Sequence, residues 1–227
     1  MTGSTQTAVT RPPEPRWPAT LTLIAAAGVH FVLPRSLVPG PPWIILGLVT
    51  ILVALAIVAR RRGKPIWNER LGYLALAVLT VALLGDVILL LWALPRRLES
   101  PKAMLGSAAL LWVTNVLVFA GWYWRLDAGG PNERDFRETH VQGAFLFPQM
   151  LLPAAEAATI RGDESLPKLS WRPGFVDYLF LAFNTSTALS PTDVPVLSRW
   201  AKAMMMVQAC ISLTSVVVVA ARAVNVL

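Results

Sequence analysis

Five long runs of apolar residues, each bounded by charges or prolines, decide what this chain can become. They are Leu21–Leu33, beginning near Trp17 and stopped by Pro34, then Trp43–Ala59, Leu71–Leu94, Met104–Leu126 and Ala201–Leu227. A hydrocarbon layer of ~30 Å needs about 20 such residues in a helix, and only the first run is marginal by that measure. No water-soluble core of this size hides so much apolar surface. Of the 227 residues 55% are hydrophobic and only 15% charged, against about 25% charged in an ordinary soluble domain. The chain therefore reads as an all-α polytopic membrane bundle with the lipid bilayer as its first partner. Trp17, Trp43, Trp92, Trp122, Tyr123, Trp124 and Trp200 lie near run ends, where an aromatic belt belongs.

Residues 1–16 are rich in Thr and Pro and read as a disordered tail. Residues 17–126 hold four spans. Residues 127–173 form a polar loop with seven acids and five bases. Its apolar centre, FLFPQMLLP (145–153), is too short and too proline-broken to cross, so it is expected at the interface or against the bundle. Residues 174–227 form a helix–polar stretch–helix unit. There the sixth segment, Gly174–Ser190, is apolar in FVDYLFLAF and polar in NTSTALS. Seventeen residues is the lower limit for a crossing, and the apolar half alone fits a short re-entrant helix.

Basic residues weigh the two readings. With six crossings and both termini cytoplasmic, fourteen of the twenty Lys and Arg fall inside and six outside. With five crossings and a pore loop entering from outside, fifteen fall outside, against the positive-inside rule. The expectation is thus six membrane segments in a bacterial plasma membrane, both termini cytoplasmic, the fifth segment short. The net charge of +7 is explained by these loops and by anionic headgroups. No nucleic-acid-binding signature accompanies it.

Several side chains are candidates for chemistry. Asp86 stands inside the third run, where a carboxylate costs a few kcal/mol unless protonated, paired or facing water, so it is either an ion or proton site or a hydrogen-bonded structural group. Asn115, at the centre of the fourth run, is a pathway residue or interhelical glue. Asn184, Thr185, Ser186, Thr187 and Asp193 belong to the FNTSTALSPTD stretch (183–193), whose hydroxyls and carbonyls replace an ion's water shell or simply end a span. Gln208, Ser212 and Ser215 share one face of the last run, with Gln208 counted as a pathway residue, and that face either lines the pathway or holds hydroxyls that bond back to their own backbone. Arg222 snorkels to headgroups or pairs with Asp86 or Asp177. His30 and His140 have no second ligand at metal spacing, no cofactor motif occurs, and no serine has a nucleophile motif, so no metal site is expected and an enzyme is disfavoured. Cys210 is the single cysteine, which excludes an internal disulfide.

The runs LLWVTNVLVFAGWYWRLDAGGP (110–131), FLFPQML (145–151) and 171–227 resemble an actinobacterial group of multi-span membrane proteins and are similar to the wider DUF1345 family. That resemblance implies a helical membrane fold and brings no activity with it. The last unit also distantly resembles the helix–pore loop–helix of potassium channels, with Thr185 and Thr187 in place of the threonine run and Asp193 in place of the filter's acid. Both filter glycines are missing, and Pro191 fixes φ where carbonyls would have to turn toward an ion. The expected function is channel- or transporter-like, in a homo-oligomer, with Asp86, Asn115 and 184–193 as its polar pathway. The alternatives are a non-transporting anchor or assembly partner and, more weakly, an intramembrane enzyme.

Overall fold

The computed structural model describes residues 13–38, 40–96, 100–137, 140, 143–153, 171–187 and 193–223. Seven α-helices occur among them: α1 Trp17–Val32, α2 Trp43–Arg61, α3 Pro65–Arg96, α4 Pro101–Leu126, α5 Gly130–Phe136, α6 Phe175–Thr187 and α7 Arg199–Ala223. Four of these, α2, α3, α4 and α7, are long and apolar enough to cross a membrane, and α1 is a shorter apolar helix. The expected runs are recovered, but α3 begins six residues before Leu71. Pro65 suits a first helical turn, where its missing N–H costs nothing. The polar turn it opens carries Asn68, whose amide donates to Ala56 O of α2 at 2.9 Å. Ser100 caps α4 by accepting from Ala103 N, with Pro101 behind it.

The helices α1 to α4 form an alternating bundle, with α2 against α3 and both α1 and α3 against α4. The helices α6 and α7 pack on the remaining side of α4. Trp17, Trp43 and Trp92 face outward as a belt requires. Tyr123 and Trp124 do not: they are 0% and 3% exposed and point into the protein.

The path of residues 174–198 departs from the six-crossing expectation. Tyr178, in the first turn of α6, donates to Asp127 at the end of α4. Ser186, two turns later, meets Asn115 in the middle of α4. The chain then comes back. Leu197 N donates to Ala144 O, Leu146 N donates to Pro195 O, and Ala144 N donates to Asp127 Oδ1. Both ends of 174–198 therefore sit at the Asp127 end of α4. Thirteen residues of helix rise only ~20 Å, so α6 goes half-way in and the chain returns. From there α7 runs the length of α4 in the opposite direction, level with Asn115 at Gln208 and with Trp112 at Ser212. A thirteen-residue helix is thus followed by a return to the end where it began and by a helix long and apolar enough to cross a membrane. Residues 188–192, with Ser190, Pro191 and Thr192, lie outside the described residues, as do residues 224–227 and the side chain of Arg222.

Of the two placements expected for the segment 145–153, at the interface or against the bundle, Phe145 takes the second. Phe145 is 1% exposed, bridges to Val196, and meets the rings of Tyr123, Tyr178 and Trp200.

Candidate functional site

The helix α6 begins after Pro173, and Asp177 in its first turn accepts from Gly174 N at 2.7 Å, an acid placed where the helix dipole favours it. It ends on hydroxyls. Thr185 donates back to Leu181 O at 2.8 Å, and Thr187 to Phe183 O and Asn184 O at 3.1 and 3.0 Å. Ser186 faces α4 and α7. Its carbonyl, one of those a helix end leaves without a backbone partner, accepts from Trp112 Nε1 at 3.3 Å and from Ser212 Oγ.

Around Ser186 a polar clasp joins three helices. Gln208 of α7 donates to Ala182 O at 2.7 Å and to Ser186 Oγ at 2.8 Å, and accepts from Tyr123 OH at 2.5 Å. Asn115 of α4 donates to Gln208 O at 3.0 Å and to Ser186 Oγ at 3.4 Å. Trp112 donates to Ser212 Oγ at 2.9 Å. Asn115 and Gln208 are fully buried, and among the described residues Asn115 Oδ1 is the atom of the clasp without a hydrogen-bond partner. Such bonds are worth about 0.6 kcal/mol each between membrane helices, so the clasp is a modest but directional lock.

At the other end of α6 the entrance is a folded network, not a free polar loop. Ala128, Gly129 and Gly130 take φ of 50, 80 and 86° in succession, and a side chain at Gly130 would strike Arg125 O at 2.7 Å. This turn buries Asp127, whose carboxylate accepts from Ala144 N at 2.5 Å and Tyr178 OH at 2.6 Å and lies 2.9 Å from His140 Nε2. Arg134 of α5 donates to Trp124 O and Asp127 O and pairs with Glu14 at 3.1 Å, while Arg16 pairs with Asp135 at 2.5 Å. Residues 14 and 16, expected in the disordered tail, are thus bonded to α5. Burial pulls Arg16 below its ordinary pKa, with Asp135 acting against it.

The third polar element stands apart. His30 of α1 and Asp86 of α3 are 2% and 1% exposed, with Nδ1 and Oδ2 3.0 Å apart. The two atoms are close but misaligned for a hydrogen bond, and neither has another partner among the described residues. Arg16 lies over Trp124, and Tyr73 donates to Arg125 O, which fixes the lower ends of α1 and α3. From there His30 and Asp86 both stand ~20 Å further along their helices, deep in the bundle.

Of the residues expected to form one pathway, Asn115, Ser186 and Gln208 meet, with Thr185 beside them in the last turn of α6. Asn184 is half-buried and Thr187 exposed at that turn, and Asp193 is exposed on the returning chain. Asp86 is elsewhere, with His30 beside it, and its expected pairing with Arg222 falls on a side chain outside the described residues. Trp112, Tyr123 and His30 carry little signal in the sequence, since aromatic rings in apolar runs read as belt or core and His30 stands alone. No protein-family model, no curated protein sequence and no solved structure matches this chain.

Proposed function

We propose that this is a channel- or transporter-like integral membrane protein whose pathway runs past the inner end of α6. The observation behind this reading is the half-helix: Phe175–Thr187 stops level with Asn115 and the chain returns to the end where it entered. A membrane protein keeps irregular backbone at such depth only where it is buried or lines a cavity, and broken helices of this kind surround ion and substrate sites. The carbonyl end of α6 points inward, which favours a cation over an anion. The proposed topology has five crossings and a loop re-entering from the cytoplasm. It puts fifteen of the twenty Lys and Arg inside: two in the N-terminal tail, five at 60–70, six at 125–172 and two at 199–202. Re-entrance from the cytoplasm thus satisfies the rule that re-entrance from outside violates, and it leaves the C-terminus outside.

A second reading rests on the clasp itself. Gln208, Ser186 and Ser212 spend their polar groups on one another and on Asn115 and Trp112, which suits a fixed anchor or assembly partner. Flux assays on the purified chain in liposomes separate the two. The transport reading expects potassium, sodium or proton flux above that of empty liposomes, reduced by Thr187→Val and by Asp193→Asn, both exposed positions. Absence of flux with all three cations would leave the anchor reading standing.

A further inference from the structure

At the Asp127 end, α1, α2 and α3 part around a cavity of about 770 Å³. Four arginines line it, Arg16, Arg60, Arg61 and Arg125, together with Asn68, and no acidic residue does. Its upper wall is apolar, built from Leu21, Leu23, Ile24, Val53, Ile57 and Leu71. A cavity charged at one end and oily at the other has the chemistry of an amphiphile's binding site.

Arg125 is the unusual member. It is 8% exposed, and among the described residues its guanidinium donates no hydrogen bond and has no carboxylate at salt-bridge distance. Its neighbours are the ring of Trp124 at 5.5 Å and that of Tyr73 at 6.0 Å. Glu69 is already engaged by Tyr73 OH at 3.2 Å. The planar group lies flat on α3 at Gly72, where a side-chain carbon would fall 1.9 Å from Arg125 Cζ. Gly72 thereby opens the floor of the cavity for a buried cation that has no carboxylate at salt-bridge distance among the described residues. A guanidinium kept from water without an anion is costly, and its fork of donors matches a phosphate. Arg16 does have an anion, Asp135, but Arg60 and Arg61 stand exposed at the rim.

We propose that this cavity binds an anionic phospholipid, its phosphate held by Arg125 and the rim arginines and its acyl chain lying along Leu21, Ile24, Val53 and Leu71. Basic pockets between membrane helices hold such headgroups. The site is independent of any transport and is tested without it.

The experiment is native mass spectrometry of the purified full chain in detergent with added lipid. Phosphatidylglycerol should be retained at least about tenfold better than phosphatidylcholine of the same chains, because the second headgroup is neutral overall. Gly72→Leu, which fills the floor, and Arg125→Gln should abolish the preference. The double variant Arg60→Gln/Arg61→Gln alters only exposed residues, keeps the helical circular dichroism, and should weaken retention about fivefold for each charge removed. Millimolar inorganic phosphate should not displace the lipid. Equal retention of the two lipids, a double variant with unchanged retention, or displacement by free phosphate with no lipid preference would overturn the proposal, the last by assigning the arginines to a soluble anion.

Discussion

The two halves of this bundle treat buried polar groups in opposite ways. Around α4, α6 and α7 they are spent on each other, so that Gln208 alone touches Tyr123, Ala182 and Ser186. Between α1 and α3, and at the Arg125 end of α4, some are left open among the described residues: His30 and Asp86 touch without a hydrogen bond, and the Arg125 guanidinium lies against the rings of Trp124 and Tyr73. Uncharged amides and hydroxyls lock helices at small cost, because every donor finds a carbonyl. Unmatched charges at similar depth cost several kcal/mol and stabilise nothing by themselves. The difference separates groups that fix the fold from groups kept in spite of it, and it directs the search for function to the N-terminal helices as well as to the half-helix.

The largest expected effect concerns the frame in which the comparison is made. In a Cys210→Ala background, Ser198→Cys and Ser100→Cys report the two faces to a membrane-impermeant thiol reagent. Re-entrance from the cytoplasm requires Ser198 to be shielded in intact cells and labelled once they are opened, with Ser100 labelled from outside. Six full crossings put both residues outside. The outcome is all or none, and labelling of Ser198 in intact cells would remove the cytoplasmic half-helix from the account.

Next comes the open pair. Removing one of two buried polar partners leaves the other unsatisfied at a cost of about 1–3 kcal/mol, and more where it is charged, whereas replacing both with well-packed apolar residues is often neutral. His30→Leu and Asp86→Leu should each lower the melting temperature of the detergent-solubilised protein, and the double variant should recover most of the loss. Additive losses would mean that the 3.0 Å contact is incidental. The closed half should respond less. Gln208→Leu deletes three interhelical side-chain bonds of about 0.6 kcal/mol each, a loss of about 2 kcal/mol in the same assay. A loss as large as that of Asp86→Leu would erase the distinction between the halves.

Much of the fold could be read from the chain because apolar runs and their punctuation are local. Pro34 ends α1, Ser100 and Pro101 start α4, and Trp43 opens α2 where the sequence suggests. The face shared by Gln208, Ser212 and Ser215 was also legible, since helical spacing sets it, and all three are buried. The return of the chain after α6 was not legible, for two physical reasons. A thirteen-residue helix with a polar end looks the same whether the chain goes on or turns back. The charge count was also set against a loop entering from outside, when entering from the cytoplasm gives the better balance. The pairing of His30 with Asp86 joins residues on two helices with α2 between them in sequence, and no spacing rule reports such a meeting. The entrance network escaped because Asp127, Arg134 and Glu14 look like solvated loop charges until the left-handed turn at 128–130 folds them inward.

The smallest expected effect tests the comparison from its other side. Glu133 and Arg137 form an ion pair at 3.5 Å one turn apart on and just beyond α5, with side chains 57% and 33% exposed. By distance it resembles His30–Asp86, and by charge it is the more conventional pair. Water, however, screens it and solvates either partner when the other is removed, so it is worth about 0.3–0.5 kcal/mol. The backbone near it is held by other means, since Arg137 also donates to Ala128 O at 3.3 Å and its carbonyl accepts from Arg172. Glu133→Ala should therefore leave the melting temperature within about a degree of the parent and lose even that difference at 0.5 M salt, where the screening length falls to about 4 Å. A loss comparable to that of His30→Leu would show that burial is not what separates the charges of this protein, and would place Glu133 within the entrance network.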